Sequence, residues 1–430
     1  MVLTGRFVAL VSLGAIPTIL FPHYWVVLLW VLGCLVLMGI DLVAAGPTGA
    51  LRVFRSPVAP IRLGDSTSST LVLENVGRRT FRGRVKDTWQ PSAGARDNVH
   101  PVAIPAGERR IVATTLTPTR RGDRLAVKLT IRRIGPLGLA GRQRGYPVPG
   151  HIRALPPFDS RKHLPSRLAR LRQLDGRSAV RIRGQGTEFD SLRDYVEGDD
   201  VRSIDWRATA RRRSVVVRTW QPEKDRHIVI VLDTSRTSAG RVGDTPRLDA
   251  AMDAALLLAA LGSHAGDRVD LIAGDRRIHR RVVGSPRTTL LNDLVNAMAT
   301  LEPALLEADW SLLGGQVSTV SRQRALLVLL TPLEPAAIEE SLLAPLSVLA
   351  QRYRVVIGSV ADPALTSMLD RRDDSRQVYD AAAAARTVAL RERTAAALGR
   401  LGVDVVDADP EHLPAALADH YLLLKSRGLL

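Results

Sequence analysis

The chain opens with two apolar runs. It changes to short alternating segments, passes through a dense mixed-charge stretch, and ends in apolar runs interleaved with amphipathic ones. The first apolar run covers residues 7–21 and is short for a membrane span. The second, residues 24–45, matches the roughly 20 residues a bilayer crossing needs. Pro22 and His23 predict a tight turn between them, and Tyr24, Trp25 and Trp30 suit an interfacial belt. Arg6 precedes the pair and Arg52, Arg55 and Arg62 follow it, while the turn has no Lys or Arg. This bias predicts two transmembrane helices with both ends in the cytoplasm. A cleaved signal peptide is the alternative for the first run, but no small-x-small site separates it from the second. Asp41 falls near the cytoplasmic end, where its carboxylate reaches the interface.

Residues 47–150 alternate with period two between Gly, Pro and Asn breaks. Strands are expected near Arg52–Phe54, Thr70–Glu74, Phe81–Trp89, Arg110–Leu116 and Leu125–Arg132. That pattern predicts a small β-sandwich. Leucines at 164, 168, 171 and 174 then mark one face of a helix. From His227 onward, β and α patterns alternate. A continuously apolar strand is expected at 228–232, further strands at 269–273, 325–330, 354–360 and 403–406, and helices between them. Such runs are buried on both faces, as in a parallel sheet covered by helices. The fold class is therefore α/β: a transmembrane hairpin over residues 1–46, a β-sandwich over 47–150, a basic connecting segment over 151–224 and a doubly wound α/β domain over 225–430.

The stretch from Gly184 to Trp220 interleaves carboxylates with arginines, and Phe189, Leu192, Tyr195, Ile204 and Trp206 fall between the charges. A solvated charged helix is the plain alternative. Exposed ion pairs contribute only about 0–1 kcal/mol each, so burial of those anchors has to hold the stretch. It is expected to fold onto the α/β domain as a bracket, with Trp206 buried and with Asp205 or Glu188 paired to an arginine of the same stretch.

This stretch, followed by Leu232, Asp233, Thr234 and Ser235, closely resembles the bacterial "domain of unknown function 58" family. The residues that carry the resemblance are Glu188, Phe189, Arg193, Tyr195, Gly198, Asp199, Arg202, Asp205, Trp206 and Arg211. The resemblance implies a membrane-anchored relative of von Willebrand factor type A domains. It also implies association with a MoxR-type AAA+ ATPase. It implies no reaction.

Composition narrows the chemistry. Across 430 residues, Lys and Arg outnumber Asp and Glu by 60 to 43, a formal charge of +17, and most of the excess is arginine. Such a surface suits an anionic membrane, an acidic partner or nucleic acid; an arginine-rich genome would leave the same trace. The single cysteine, Cys34, lies in an apolar run, which excludes a disulfide framework and a Cys-rich zinc site. No His-Glu-x-x-His, Gly-x-Ser-x-Gly or Gly-Lys-Ser/Thr pattern occurs, and isolated histidines such as His100 and His151 are surface or hydrogen-bonded residues far more often than ligands. No catalytic set emerges.

One constellation could bind a ligand. Asp233 directly follows an apolar strand, at the carboxyl end where open α/β sheets bind ligands. With Ser235 and Thr237 it forms Asp-x-Ser-x-Thr, a set of hard oxygen donors for Mg²⁺. This resembles a degenerate metal-ion-dependent adhesion site. The rest of that pattern departs: Thr331 and Pro332 stand where a second carboxylate is usual, leaving Glu334 as a substitute, and Asp309 or Ser311 as candidates on the middle loop. The alternative is that Asp233, Ser235 and Thr237 cap the helix that follows.

The function expected is that of a membrane-anchored cytoplasmic adaptor, held in the bilayer through residues 7–45 and partnering a MoxR-type ATPase in complex or envelope assembly. Two other classes stay open. Nucleic-acid binding through Arg211–Arg213 is disfavoured because seven acids share the stretch and no aromatic platform alternates with the arginines. The other is a Mg²⁺-dependent hydrolase with an unrecognised site.

Overall fold

The computed structural model describes residues 1–181, 188–197, 199–212, 214–221, 226–371 and 373–430; for 175–181, 188–191 and 219–221 only the backbone is described. The chain is mixed α/β and divides into two compact units, Met1–Leu155 and Pro156–Leu430.

In the first unit, one helix is long and apolar enough to cross a membrane: Tyr24–Ala44, 21 residues with apolar side chains exposed on most of its surface. The earlier run forms two shorter helices, Gly5–Leu13 and Ala15–Leu20. Together they extend about 24 Å at 1.5 Å per residue, less than the roughly 30 Å hydrocarbon core. Gly14 separates them under the Trp30 ring, and the Trp30 indole N–H donates to the Leu10 carbonyl at 3.2 Å.

Asp41 behaves differently from the expected interfacial carboxylate. It is fully buried and accepts backbone N–H bonds from Leu137 (2.8 Å), Leu139 (2.7 Å) and Ala140 (2.9 Å). Those amides belong to the turn between strands Gly122–Ile134 and Ala140–Tyr146 and to the first residue of the second strand. The carboxylate thus ties the last turn of the apolar helix to the β-structure that follows. Gly135 is required there, because a Cβ would run into the Asp41 carboxylate and carbonyl.

The β-structure is two sheets. One has strands Leu51–Arg55, Thr67–Asn75, Arg109–Leu116 and Ala95–Arg96; the other is built on Phe81–Trp89, Val99–Ile104, Gly122–Ile134, Ala140–Tyr146 and His151–Leu155. Their inner faces share one core, Leu71, Leu73 and Val112 from the first against Phe81, Val85, Ile104, Leu129 and Ile131 from the second. Alternation placed these side chains inward, as period-two strands must. The strands Val99–Ile104, Ala140–Tyr146 and His151–Leu155 went unread in the sequence; Pro101 interrupts the first, and arginines and glycines obscure the alternation of Ala140–Tyr146. A buried ion pair crosses the core: Arg55 donates to Asp87 at 2.7 and 3.0 Å, and the Trp89 indole adds a bond to Asp87 at 2.8 Å.

In the second unit a six-stranded sheet has the order Ile278–Val282, Arg268–Gly274, His227–Asp233, Leu326–Leu330, Arg354–Val360, Asp404–Ala408. All neighbours run parallel except the edge strand Ile278–Val282. Helices cover both faces. Trp310, Leu313, Leu346, Leu349 and Leu398 pack on Val229, Val231, Leu327, Leu329 and Ile357, while Leu258, Leu417, Tyr421 and Leu424 pack on Leu326, Val328 and Val356. The helical segment from Pro335 to Arg352 is interrupted by a π-turn, Ile338–Leu342. A short helix, Pro363–Leu369, precedes the long alanine-rich helix Ser375–Arg400.

The mixed-charge stretch is neither a helix nor an extra strand of that sheet. Glu188–Asp194 and Val216–Gln221 pair with each other as an antiparallel two-stranded sheet. The expectation for Trp206 is overturned: it is 67% exposed. Trp206 opens a one-turn helix, Trp206–Thr209, held by Asp205, whose carboxylate accepts the N–H groups of Arg207 and Ala208. The apolar burial in the stretch comes instead from Val216 and Val217. Asp205 does pair within the stretch, accepting from Arg218 at 2.8 Å. That pair and the helix-cap bonds hold the Asp205 carboxyl below its ordinary range, with the Ala208 N–H contributing most.

A hydroxyl-ringed carboxylate at the carboxyl end of the sheet

Parallel register carries Asp233 to the end of the central strand, one step beyond the Leu232–Leu330 pair. The next residue on the neighbouring strand is Thr331, so residues 98 apart in sequence meet side by side. Asp233 Oδ2 accepts from Thr331 Oγ1 at 2.7 Å and from Thr237 Oγ1 at 3.0 Å, and its Oδ1 accepts the Ser235 N–H at 2.8 Å. Ser235 Oγ lies 3.0 Å from Thr237 Oγ1. Thr237 spends its one hydroxyl proton on Asp233, so Ser235 is the donor to Thr237. The result is a relay from Ser235 through Thr237 to the carboxylate.

All four side chains are buried. Burial pushes the Asp233 carboxyl above its ordinary value, and the bonds from Ser235, Thr331 and Thr237 offset this only in part. A low-dielectric site penalises an unpaired charge, and no cationic side chain among the described residues bonds to Asp233.

A cavity of about 10 Å³, enough for one water-sized occupant, opens over this cluster; its walls include Asp233, Ser235, Thr237, Glu307, Trp310 and Thr331. A loop closes it from above. Ala304 N–H donates to the Thr234 carbonyl and Arg236 N–H to the Leu306 carbonyl, each at 2.8 Å. Glu307 reaches the rim and is held by an ion pair with Arg236.

Thr234, facing away from the cavity, is fixed by a second set. Its hydroxyl donates to Asp275 Oδ2 at 3.1 Å, which also lies 2.7 Å from His279 Nε2. Burial acts to raise the Asp275 carboxyl, but the bonds from His279, Thr234 and the Arg277 backbone outweigh it and leave the group below its ordinary value. This bonding orders the loop between Asp233 and Ser235 from behind.

The sequence-read residues separate here. Asp233, Ser235 and Thr237 come together. Asp309 caps the helix Trp310–Val320, accepting the Leu312 N–H at 2.9 Å, and neither it nor Glu334 lines the cavity. Their places are taken by Thr331 and Glu307. Thr331 was legible as the residue after an apolar strand, but its value depends on register between strands. Ser235 occupies the N-cap position of the short helix Arg236–Ala239 without a side-chain cap bond; its hydroxyl turns to Thr237 instead.

Of the mixed-charge residues, Arg193 bonds Asp199 at 2.5 Å, and Asp199 also accepts the Val196 N–H. Asp200 caps a short turn at Arg202, whereas Arg202 and Arg211 are exposed and Tyr195 is half-buried. Gly184, Gln185, Gly186, Gly198 and Arg213 lie outside the described residues, as do the side chains of Glu188 and Phe189, so the expected Glu188 pair and Phe189 burial are not placed.

The donor set fits a hard divalent cation in kind: one carboxylate and three hydroxyls, all oxygen. Among the described residues no three of His, Cys, Asp and Glu gather at one point, so hydroxyls would supply most of the ligands.

Comparison with known proteins finds a family whose model matches part of the chain. The family model described as "Protein of unknown function DUF58" matches residues 191–395. Uncharacterised proteins of Mycobacterium tuberculosis and Mycobacterium bovis are each 26% identical over 185 residues, 42% of this chain and 57% of theirs. The match therefore spans little more than half the length of those relatives. Among solved structures, a PapD-like domain of human CEP192 is 12% identical with a TM-score of 0.18, covering 25% of this chain and 87% of that one. A protein of unknown function from Porphyromonas gingivalis is 18% identical with a TM-score of 0.19, covering 25% and 48%. At such scores neither likeness carries an argument. The family match begins within the strand Glu188–Asp194 and takes in the rest of the two-stranded sheet, the Asp233 loop and most of the six-stranded sheet, so that residues 191–395 of this chain are similar to the DUF58 family.

Proposed function

We propose that the chain is a membrane-anchored interaction protein whose α/β unit, of the von Willebrand factor A type, presents the Asp233 site to a protein partner. The observation that carries this reading is the cluster of Asp233, Ser235, Thr237 and Thr331 at the carboxyl end of a largely parallel sheet. A buried carboxylate with hydroxyl neighbours and no cationic partner is suited to a divalent cation such as Mg²⁺, which would supply the missing positive charge. Asp233, Ser235, Thr237 and Thr331 would hold it. Glu307 stands at the rim, where releasing Arg236 would free a second carboxylate.

The membrane part of the reading rests on Tyr24–Ala44 as the span, with the shorter Gly5–Leu20 segment as a second membrane element and the bulk of the chain in the cytoplasm. The partner expected from the family resemblance is a MoxR-type AAA+ ATPase. The experiment is calorimetric titration of the detergent-solubilised chain with Mg²⁺, paired with crosslinking and co-purification from membranes. Saturable Mg²⁺ binding that Asp233→Ala removes supports the site, and recovery of an AAA+ ATPase supports the partner. Absence of Mg²⁺ binding counts against the first, and crosslinked material without any such ATPase against the second.

A further inference from the structure

The outer face of the larger sheet in the first unit carries Arg82, Arg84, Lys86, Lys128 and Arg132, all exposed. Their inward neighbours Phe81, Val85, Leu129 and Ile131 fill the core, so the pleat fixes these cations on the opposite face. Register sets Arg84 directly across from Arg132, with Lys86 across from Thr130 and Lys128 across from Thr88. Like charges directly opposed on adjacent strands are destabilising. No acidic side chain among the described residues relieves this. Among the described residues none of the five enters an ion pair, and Arg132 has only the neutral Gln143 amide, at 2.8 Å. The nearby acids are engaged elsewhere: Asp87 is buried on Arg55, and Asp123 pairs with Arg153.

The position of this face is also constrained. The strand Gly122–Ile134 runs into the turn that Asp41 holds against the end of the apolar helix. At about 3.3 Å per residue, Arg132 stands roughly 7 Å from Ile134, Lys86 in the Thr130 row about 13 Å, and Lys128 about 20 Å. The headgroup layer beyond the hydrocarbon is about 5–8 Å deep on each side, and the Debye length is about 8 Å at physiological ionic strength.

We infer that this cationic sheet face lies against anionic phospholipid headgroups and forms a second, electrostatic contact with the membrane beside the helix. The inference rests on the reading that Tyr24–Ala44 spans the bilayer. Charge complementarity names the occupant: five cations without a counter-ion among the described residues, on the unit that carries the apolar helix, fit a surface of phosphodiesters. Each basic residue near such a surface adds attraction that salt weakens.

The test is amine acylation of the full-length chain in nanodiscs, read by mass spectrometry at Lys86 and Lys128. One set of discs is phosphatidylcholine alone; the other is equimolar phosphatidylcholine and phosphatidylglycerol. Both lysines are expected to label at least about threefold more slowly in the anionic discs, a difference lost in high salt. Lys128 is the discriminating position, since charge near the helix end alone leaves a group about 20 Å away unaffected. Arg84→Glu combined with Arg132→Glu should remove the slowing at both. Equal labelling of Lys128 in the two discs overturns the inference, as does slowing that survives high salt; the salt arm uses the unaltered chain and does not depend on the variant folding. Slowing by added RNA in neutral discs would assign the face to nucleic acid and also overturn it. Failure of the anchor itself reads differently: the chain would separate from both kinds of disc in alkaline carbonate.

Discussion

Replacing Asp233 by Asn tests the electrostatics of the cluster without disturbing its shape. Asn Oδ1 would keep the Ser235 N–H bond, and Nδ2 would donate to the Thr237 and Thr331 hydroxyls, which rotate to accept. What changes is the charge. Exchanging charge-assisted bonds for neutral ones costs about 1 kcal/mol each, on the order of 3 kcal/mol for three. Removing a buried, cation-free carboxylate returns several kcal/mol. In metal-free buffer at pH 7 the Asn variant should therefore match the wild type or exceed it by about 1–3 kcal/mol. Asp233→Ala leaves the same three donors unpaired, at about 1–3 kcal/mol for each that finds no other partner, and should be clearly less stable. The pH dependence follows from the raised carboxyl. A group raised in the folded state keeps its full stability below its unfolded value, near 4, and loses it as pH rises through the folded value. The advantage of Asn should thus be smallest near pH 4 and grow toward pH 7–8. The assay is thermal unfolding of the detergent-solubilised chain in EDTA across that range, where 1 kcal/mol moves the midpoint by about 2–4 °C for a unit of this size. An Asn variant as damaged as the Ala variant, or an Asn advantage that shrinks with rising pH, would refute the reasoning.

Asp87→Ala strands Arg55 in the sandwich core and should cost about 3–5 kcal/mol, measured by denaturant unfolding; a loss under about 1 kcal/mol would show that the pair is hydrated. Trp206→Ala should change stability by less than about 0.5 kcal/mol, since the ring is exposed; a drop of several degrees in midpoint would mean that the ring is covered in the working protein. Gly135→Ala should cost at least about 1–3 kcal/mol by forcing a methyl group into the Asp41 cradle, with faster hydrogen exchange at Leu137, Leu139 and Ala140; unchanged exchange there would contradict the role given to Asp41.

Period and composition alone determined much of this protein. Continuous apolar runs at 228–232 and 325–330 specify buried parallel strands because both faces of such strands are covered. Alternation at Phe81–Trp89 specifies a one-sided strand, and the length of Tyr24–Ala44 makes it the candidate span. Asp233 was legible as well, because it directly follows a strand whose end is set by its own sequence. Tertiary structure decided what depends on register and on which charges meet. Thr331 joins Asp233 only because two strands 98 residues apart align in parallel, and no local pattern encodes that alignment. Asp41 changes from an interfacial acid to a buried tie because three amides of a distant turn converge on it. Trp206 looked like an anchor by residue type, yet Asp205 had already satisfied its turn through backbone bonds, leaving Val216 and Val217 to supply the burial. Hydrophobicity says which residues gain by leaving water; only the folded chain decides which of them find a surface to leave it against.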